Sequence, residues 1–79
     1  MNLAFDNNMK YSGTDLAVYY GIETTSDCMQ ACLNYNGCSN FTYAYASKDC
    51  YLKNGVMVRN ADSSYTSGPK MDYLYQGRF

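Results

Sequence analysis

Four cysteines in the order Cys28-x3-Cys32-x5-Cys38-x11-Cys50, in a chain of 79 residues without a histidine, constrain the fold more than any other feature. Three roles are open to them. Zinc sites draw mainly on Cys-x-x-Cys knuckles or Cys/His sets. Neither is present, although two thiolates four residues apart on a helix can bind zinc, and that alternative stays open. Thioredoxin-like chemistry wants Cys-x-x-Cys at a helix N-terminus, and a catalytic thiol wants a base such as His. Here the spacing is one residue too long and the base is missing. An even cysteine count in a short chain reads as a disulfide framework, and so as an oxidising compartment.

Geometry ranks the three pairings. Thr24 to Asp27 carries the signs of a helix start, with Thr24 as cap and Asp27 three residues on, as in a capping box. Asn36-Gly37 ends the helix, because glycine takes the left-handed conformation cheaply. The helix therefore runs for roughly three turns. Cys28 and Cys32 then share one helical face, with Cβ atoms about 5–6 Å apart, whereas a disulfide wants about 3.8 Å. Both must reach off the helix. The reversal at Asn36-Gly37 delivers Cys38 to Cys32, which leaves Cys28 for Cys50 on a returning strand. The nested pairing Cys28–Cys50 and Cys32–Cys38 is expected. The loop-entropy model assigns about 3.4 kcal/mol to the longer loop and about 2.3 kcal/mol to the shorter, not additively. A chain of this length makes one domain with a marginal core, so such staples matter.

Composition closes several functional classes. Six basic residues (Lys10, Lys48, Lys53, Arg59, Lys70 and Arg78) are scattered against seven acidic ones. That pattern lacks the electrostatic footprint of a nucleic-acid or polyanion binder. Hydrophobic residues make up 47%, which argues against disorder. No apolar run approaches about 18 residues, so no membrane span is expected. The first residues lack the basic and long apolar regions of a signal peptide, so a secreted chain would already have lost its leader, or would be a domain cut from something larger. No acidic loop has EF-hand spacing, and no metal or cofactor is expected.

The rest of the chain reads as strands. Leu3 to Phe5 and Asp15 to Tyr20 look extended, with turns at Asp6-Asn7-Asn8 and Ser12-Gly13. Phe41, Tyr43 and Tyr45 alternate with Asn40, Thr42 and Ala44, giving a strand with one aromatic face and with Asn40 and Thr42 facing outward. Ala46 to Asp49 turns into Cys50-Tyr51-Leu52-Lys53. Asn54-Gly55 is a two-residue hairpin signal before Val56 to Val58. Ser63 to Gly68 adds another strand, and Asp72 to Gln76 is a short aromatic run. The fold class is α+β, one helix packed on an antiparallel sheet.

Gly13-Thr14-Asp15-Leu16, the Thr24 to Cys32 segment, Cys38-Ser39-Asn40-Phe41-Thr42-Tyr43, Cys50-Tyr51-Leu52-Lys53 and Ser67-Gly68 stand in an order and spacing that resembles the PAN/Apple domain family over about residues 5 to 70. The resemblance implies a curved antiparallel sheet of about five strands cradling one helix, and the same nested disulfides. Apple domains proper have a third disulfide joining their ends. This chain lacks that pair and so resembles the plainer PAN type. The domain is taken as residues 1–70, with residues 71–79 as an extension beyond the family's usual end. Family members are secreted or cell-surface modules that bind proteins or carbohydrates and are generally not catalysts.

The leading expectation is an extracellular, non-enzymatic recognition or adhesion module for a protein or glycan. A second is a self-assembling subunit of an extracellular filament or coat, docking through Tyr73, Leu74, Tyr75 and Phe79. A third is a targeting appendage of a secreted enzyme. The carboxylates are dispersed, without the positioned pair that general acid–base catalysis needs. Asp15 and Asp27 read as turn and cap residues. Asn40-Phe41-Thr42 is an acceptor sequon for N-linked glycosylation.

Overall fold

The computed structural model describes residues 5–69. Strand β1 (Asp6–Tyr19) is followed by helix α1 (Thr25–Asn34), strand β2 (Asn40–Ala44) and strand β3 (Asp49–Pro69). The class is α+β, with one helix on an antiparallel sheet. The sheet has three strands in the order β1-β3-β2, where the resemblance implied about five. The reason is that β1 and β3 bend at bulges instead of breaking into separate strands.

Helix α1 begins where the capping chemistry puts it. The Thr24 hydroxyl accepts from the Asp27 amide at 3.1 Å, satisfying one of the donors a helix start leaves open. The helix closes at Tyr35, and Gly37 takes a φ of +92° in the reversal that follows. Its buried face is Cys28, Met29 and Cys32. Disulfides join Cys28 to Cys50 and Cys32 to Cys38. Phe41, Tyr43, Cys50 and Leu52 meet this face from the sheet and complete the core.

The register explains the curvature. Met9 to Ser12 run opposite Ala61 to Val58, and Thr14 opposite Asn54, so Gly13 alone faces Gly55, Val56 and Met57. The expected turns at Ser12-Gly13 and Asn54-Gly55 are thus two sides of one bulge, which sharpens twist without ending a strand. A Cβ on Gly13 would stand 3.1 Å from the Val56 carbonyl oxygen, so a side chain there would press β3 back by a few tenths of an ångström. A second irregularity sets Asn8, with φ +58°, against Asp62 to Tyr65, and Asp6 then pairs with Ser67. The expected turn at Asp6-Asn7-Asn8 is therefore strand with a left-handed residue in it.

Bending brings both ends of β3 to β2. Asn40 faces Lys53 on one edge and Pro69 on the other, and Ala44 faces Asp49 and Tyr65. Partner numbers fall as β2 advances on either side, so both pairings are antiparallel. Helix α1 covers one face of β2. The middle of β1 crosses the other, held by hydroxyls. Thr42 Oγ1 accepts from the Tyr11 amide at 3.1 Å and lies 3.2 Å from the Tyr11 carbonyl. It also lies 2.8 Å from Ser67 Oγ, which reaches the Met9 carbonyl at 2.8 Å. Every residue of β2 is consequently buried.

One ion-pair cluster ties the start of β1 to β3. Arg59 donates to both Asp6 oxygens, at 2.7 and 3.0 Å, and the Tyr11 hydroxyl donates to Asp6 Oδ2 at 2.8 Å. The Arg59 guanidinium holds the Asp6 carboxyl below its usual range, against the upward push of burial. Burial, then the Asp6 hydrogen bond, pushes the Tyr11 phenol up to about 12. A phenol whose folded value lies above its unfolded value of 10.0 stabilises the fold fully below pH 10, and loses that contribution as pH rises through about 12. Tyr43 and Tyr51, both raised chiefly by burial, act in the same direction. The urea midpoint should fall across this window, and less steeply in Tyr11→Phe. A midpoint flat from pH 10 to 12 would contradict the assignment.

Candidate functional site

The crossing of β1 over the sheet leaves a cavity of about 290 Å³ on the face away from the helix. Lys10, Tyr11, Ser12, Gly13 and Asp15 form its β1 wall, and Thr42, Tyr51, Lys53 and Tyr65 its floor and opposite wall. The floor follows from strand alternation. Cys50 and Leu52 point to the core, so Tyr51 and Lys53 point the other way. Thr42 pairs with Tyr51, and Tyr65 comes alongside because β3 returns along the second edge of β2.

Two lysine–tyrosine pairs dominate the site. Lys10 Nζ lies 5.1 Å from the centre of the Tyr65 ring, and Lys53 Nζ lies 5.7 Å from that of Tyr51. Both distances fall within cation–π range. Lys53 is only 6% exposed, and its ammonium is paired with the half-exposed Asp15 carboxylate. A buried charge needs such a partner. Asp15, expected as a turn residue, is therefore the counter-ion of a buried lysine inside β1. Tyr51 donates to Asp49 at 3.4 Å, and burial together with the Asp49 charge holds its phenol protonated above the usual range.

The site combines two aromatic rings, ammonium and hydroxyl donors, and a carboxylate acceptor around an open hollow. Such a set can stack an apolar ligand face and hydrogen-bond several hydroxyls at once. Among the described residues no group of three His, Cys, Asp or Glu could hold a metal ion, and no helix is long and apolar enough to cross a membrane.

Sequence-level candidates lie elsewhere. All four cysteines are in the core, at most 3% exposed. Asn40 and Thr42 do not face outward. They are 5% and 1% exposed, because β2 has strands on both edges and β1 across its second face. Tyr73, Leu74, Tyr75 and Phe79, with the rest of residues 71–79, lie outside the described residues. The pocket lysines and tyrosines were missed. Alternation in Cys50-Tyr51-Leu52-Lys53 puts Cys50 and Leu52 on one face and so leaves Tyr51 and Lys53 on the other, without saying that this face lines a hollow. Nothing local said that Lys10 and Tyr65 would join them.

The profile of the family described as PAN domain matches residues 5–78. The chain belongs to the PAN domain family. It is 35% identical over 65 residues to the major microneme antigen of Sarcocystis muris, a stretch that is 82% of this chain and 27% of that protein. It is 33% identical over 67 residues to microneme antigen L2 of the same organism, covering 85% of this chain and 48% of the relative. The chain thus spans from about a quarter to about half the length of these curated relatives.

Proposed function

We propose that this domain is an extracellular, non-enzymatic recognition and adhesion module that takes a carbohydrate between the Lys10–Tyr65 and Lys53–Tyr51 pairs. The observation that carries this reading is the hollow itself, with aromatic faces set beside fixed polar groups. Sugars offer both an apolar face and a ring of hydroxyls, and this site has a counterpart for each. The two internal disulfides suit an oxidising milieu, and relatives named microneme antigens fit a secreted chain. A shallow single site gives modest affinity, so binding gains from several copies acting together.

The test is a glycan array probed with multivalently displayed protein, followed by titration of each hit. Tyr65→Ala should weaken binding at least tenfold, and Lys10→Ala by a smaller factor, with melting temperatures close to the parent. Silence across a broad array, or hits indifferent to both substitutions, would overturn the reading. Binding that persists on a deglycosylated protein target would replace it with a protein partner.

A further inference from the structure

We infer that the Asn40-Phe41-Thr42 sequon is closed to N-glycosylation once the domain has folded, and that a glycan placed there earlier bars the chain from this fold. The geometry of β2 carries the inference. Asn40 is buried between Lys53 on one edge and Pro69 on the other. Its Nδ2 donates to Ser39 Oγ at 3.0 Å, and its Oδ1 is enclosed without a hydrogen-bond partner among the described residues. The hydroxyl of Thr42, which an acceptor sequon must present, is engaged by the Tyr11 backbone and Ser67. Phe41, between them, is fully buried in the core. No part of the tripeptide can leave this setting without dissolving β2, the strand that both ends of β3 and the crossing of β1 are built around.

N-glycosylation replaces one N–H of the Asn40 carboxamide with a bond from Nδ2 to the anomeric carbon of an oligosaccharide. A polyprenyl pyrophosphate is the leaving group, and the proton is lost to a base. The residue that carries the native carboxamide is only 5% exposed, with little room for such a substituent. Close-packed interiors resist the insertion of even one or two methylene groups, and a sugar ring is far larger. Transfer and folding therefore compete for the same chain. The unfolded chain can be modified or can bury β2, and it cannot do both.

Two full-length semisynthetic chains decide the matter. One carries a single N-acetylglucosamine on Asn40. The other carries it on Asn36, an exposed residue of the reversal after α1. Oxidative refolding is followed by non-reducing peptide mapping. The Asn36 chain should recover the Cys28–Cys50 and Cys32–Cys38 bridges as well as the unmodified chain does. The Asn40 chain should give less than a tenth of that yield. Comparable yields from both would overturn the inference. In a host that performs N-glycosylation, secreted material with both native bridges should carry no glycan on Asn40. Finding one there would overturn it as well.

Discussion

Replacing Cys28 and Cys50 together by alanine should leave the domain largely unfolded at 37 °C. The bridge closes a loop of 22 residues, for which chain entropy alone gives about 3.4 kcal/mol. A domain of this size has a net stability on the order of 5–10 kcal/mol. The loss exceeds the entropic figure, because both sulfurs are fully buried and the bridge is a main contact between α1 and β3. The Cys32→Ala/Cys38→Ala pair should cost less, about 2.3 kcal/mol, because it closes a separation of only six residues next to the helix end. Urea unfolding followed by circular dichroism measures both. The order matters more than the absolute values: if the short-loop variant proved the less stable, the account of the helix clamp would be wrong.

The second large effect is expected from Thr42→Val, which keeps the shape of the side chain and removes its hydroxyl. The Tyr11 carbonyl and Ser67 Oγ each lose a partner inside the fold, and the Tyr11 amide keeps only Ser67 Oγ, at 3.2 Å. Stranding buried polar groups costs about 1–3 kcal/mol each, and with partial relaxation the substitution should cost about 2–4 kcal/mol. Thr42→Ser retains the hydroxyl and should cost no more than about 1.5 kcal/mol, chiefly for the lost methyl. Amide hydrogen exchange supplies the local readout, since protection at Tyr11 should drop in Thr42→Val and survive in Thr42→Ser. Equal protection in the two variants would mean that the crossing of β1 is held by something else.

These two contacts differ in how legible they were. The clamp follows from the sequence because its logic is local. A capping threonine fixes where α1 starts, i and i+4 spacing puts two cysteines on one face, and a glycine reversal returns the third. The hydroxyl crossing joins Tyr11 to Thr42 and Ser67, which lie far apart in the chain, and no short-range pattern announces it. Turn signals misled for a related reason. Glycine at Gly13 and Gly55 permits either a hairpin or a bulge, and the partner strand decides which. Here each glycine faces the other strand's irregularity, so the strands continue and the sheet bends. The outward assignment of Asn40 and Thr42 failed because alternation tells which residues share a face, not whether that face meets water. The pocket was not legible for the same reason: alternation leaves Tyr51 and Lys53 on the face opposite Cys50 and Leu52 without saying what that face meets, and Lys10 and Tyr65 arrive only through the bend.

The pairing of Asp6 with Ser67 has an architectural consequence. The start of β1 and the last residues of β3 stand side by side, as two adjacent strands. A longer polypeptide can therefore carry this unit as a pendant on a surface loop, without stretching its own backbone to accommodate it.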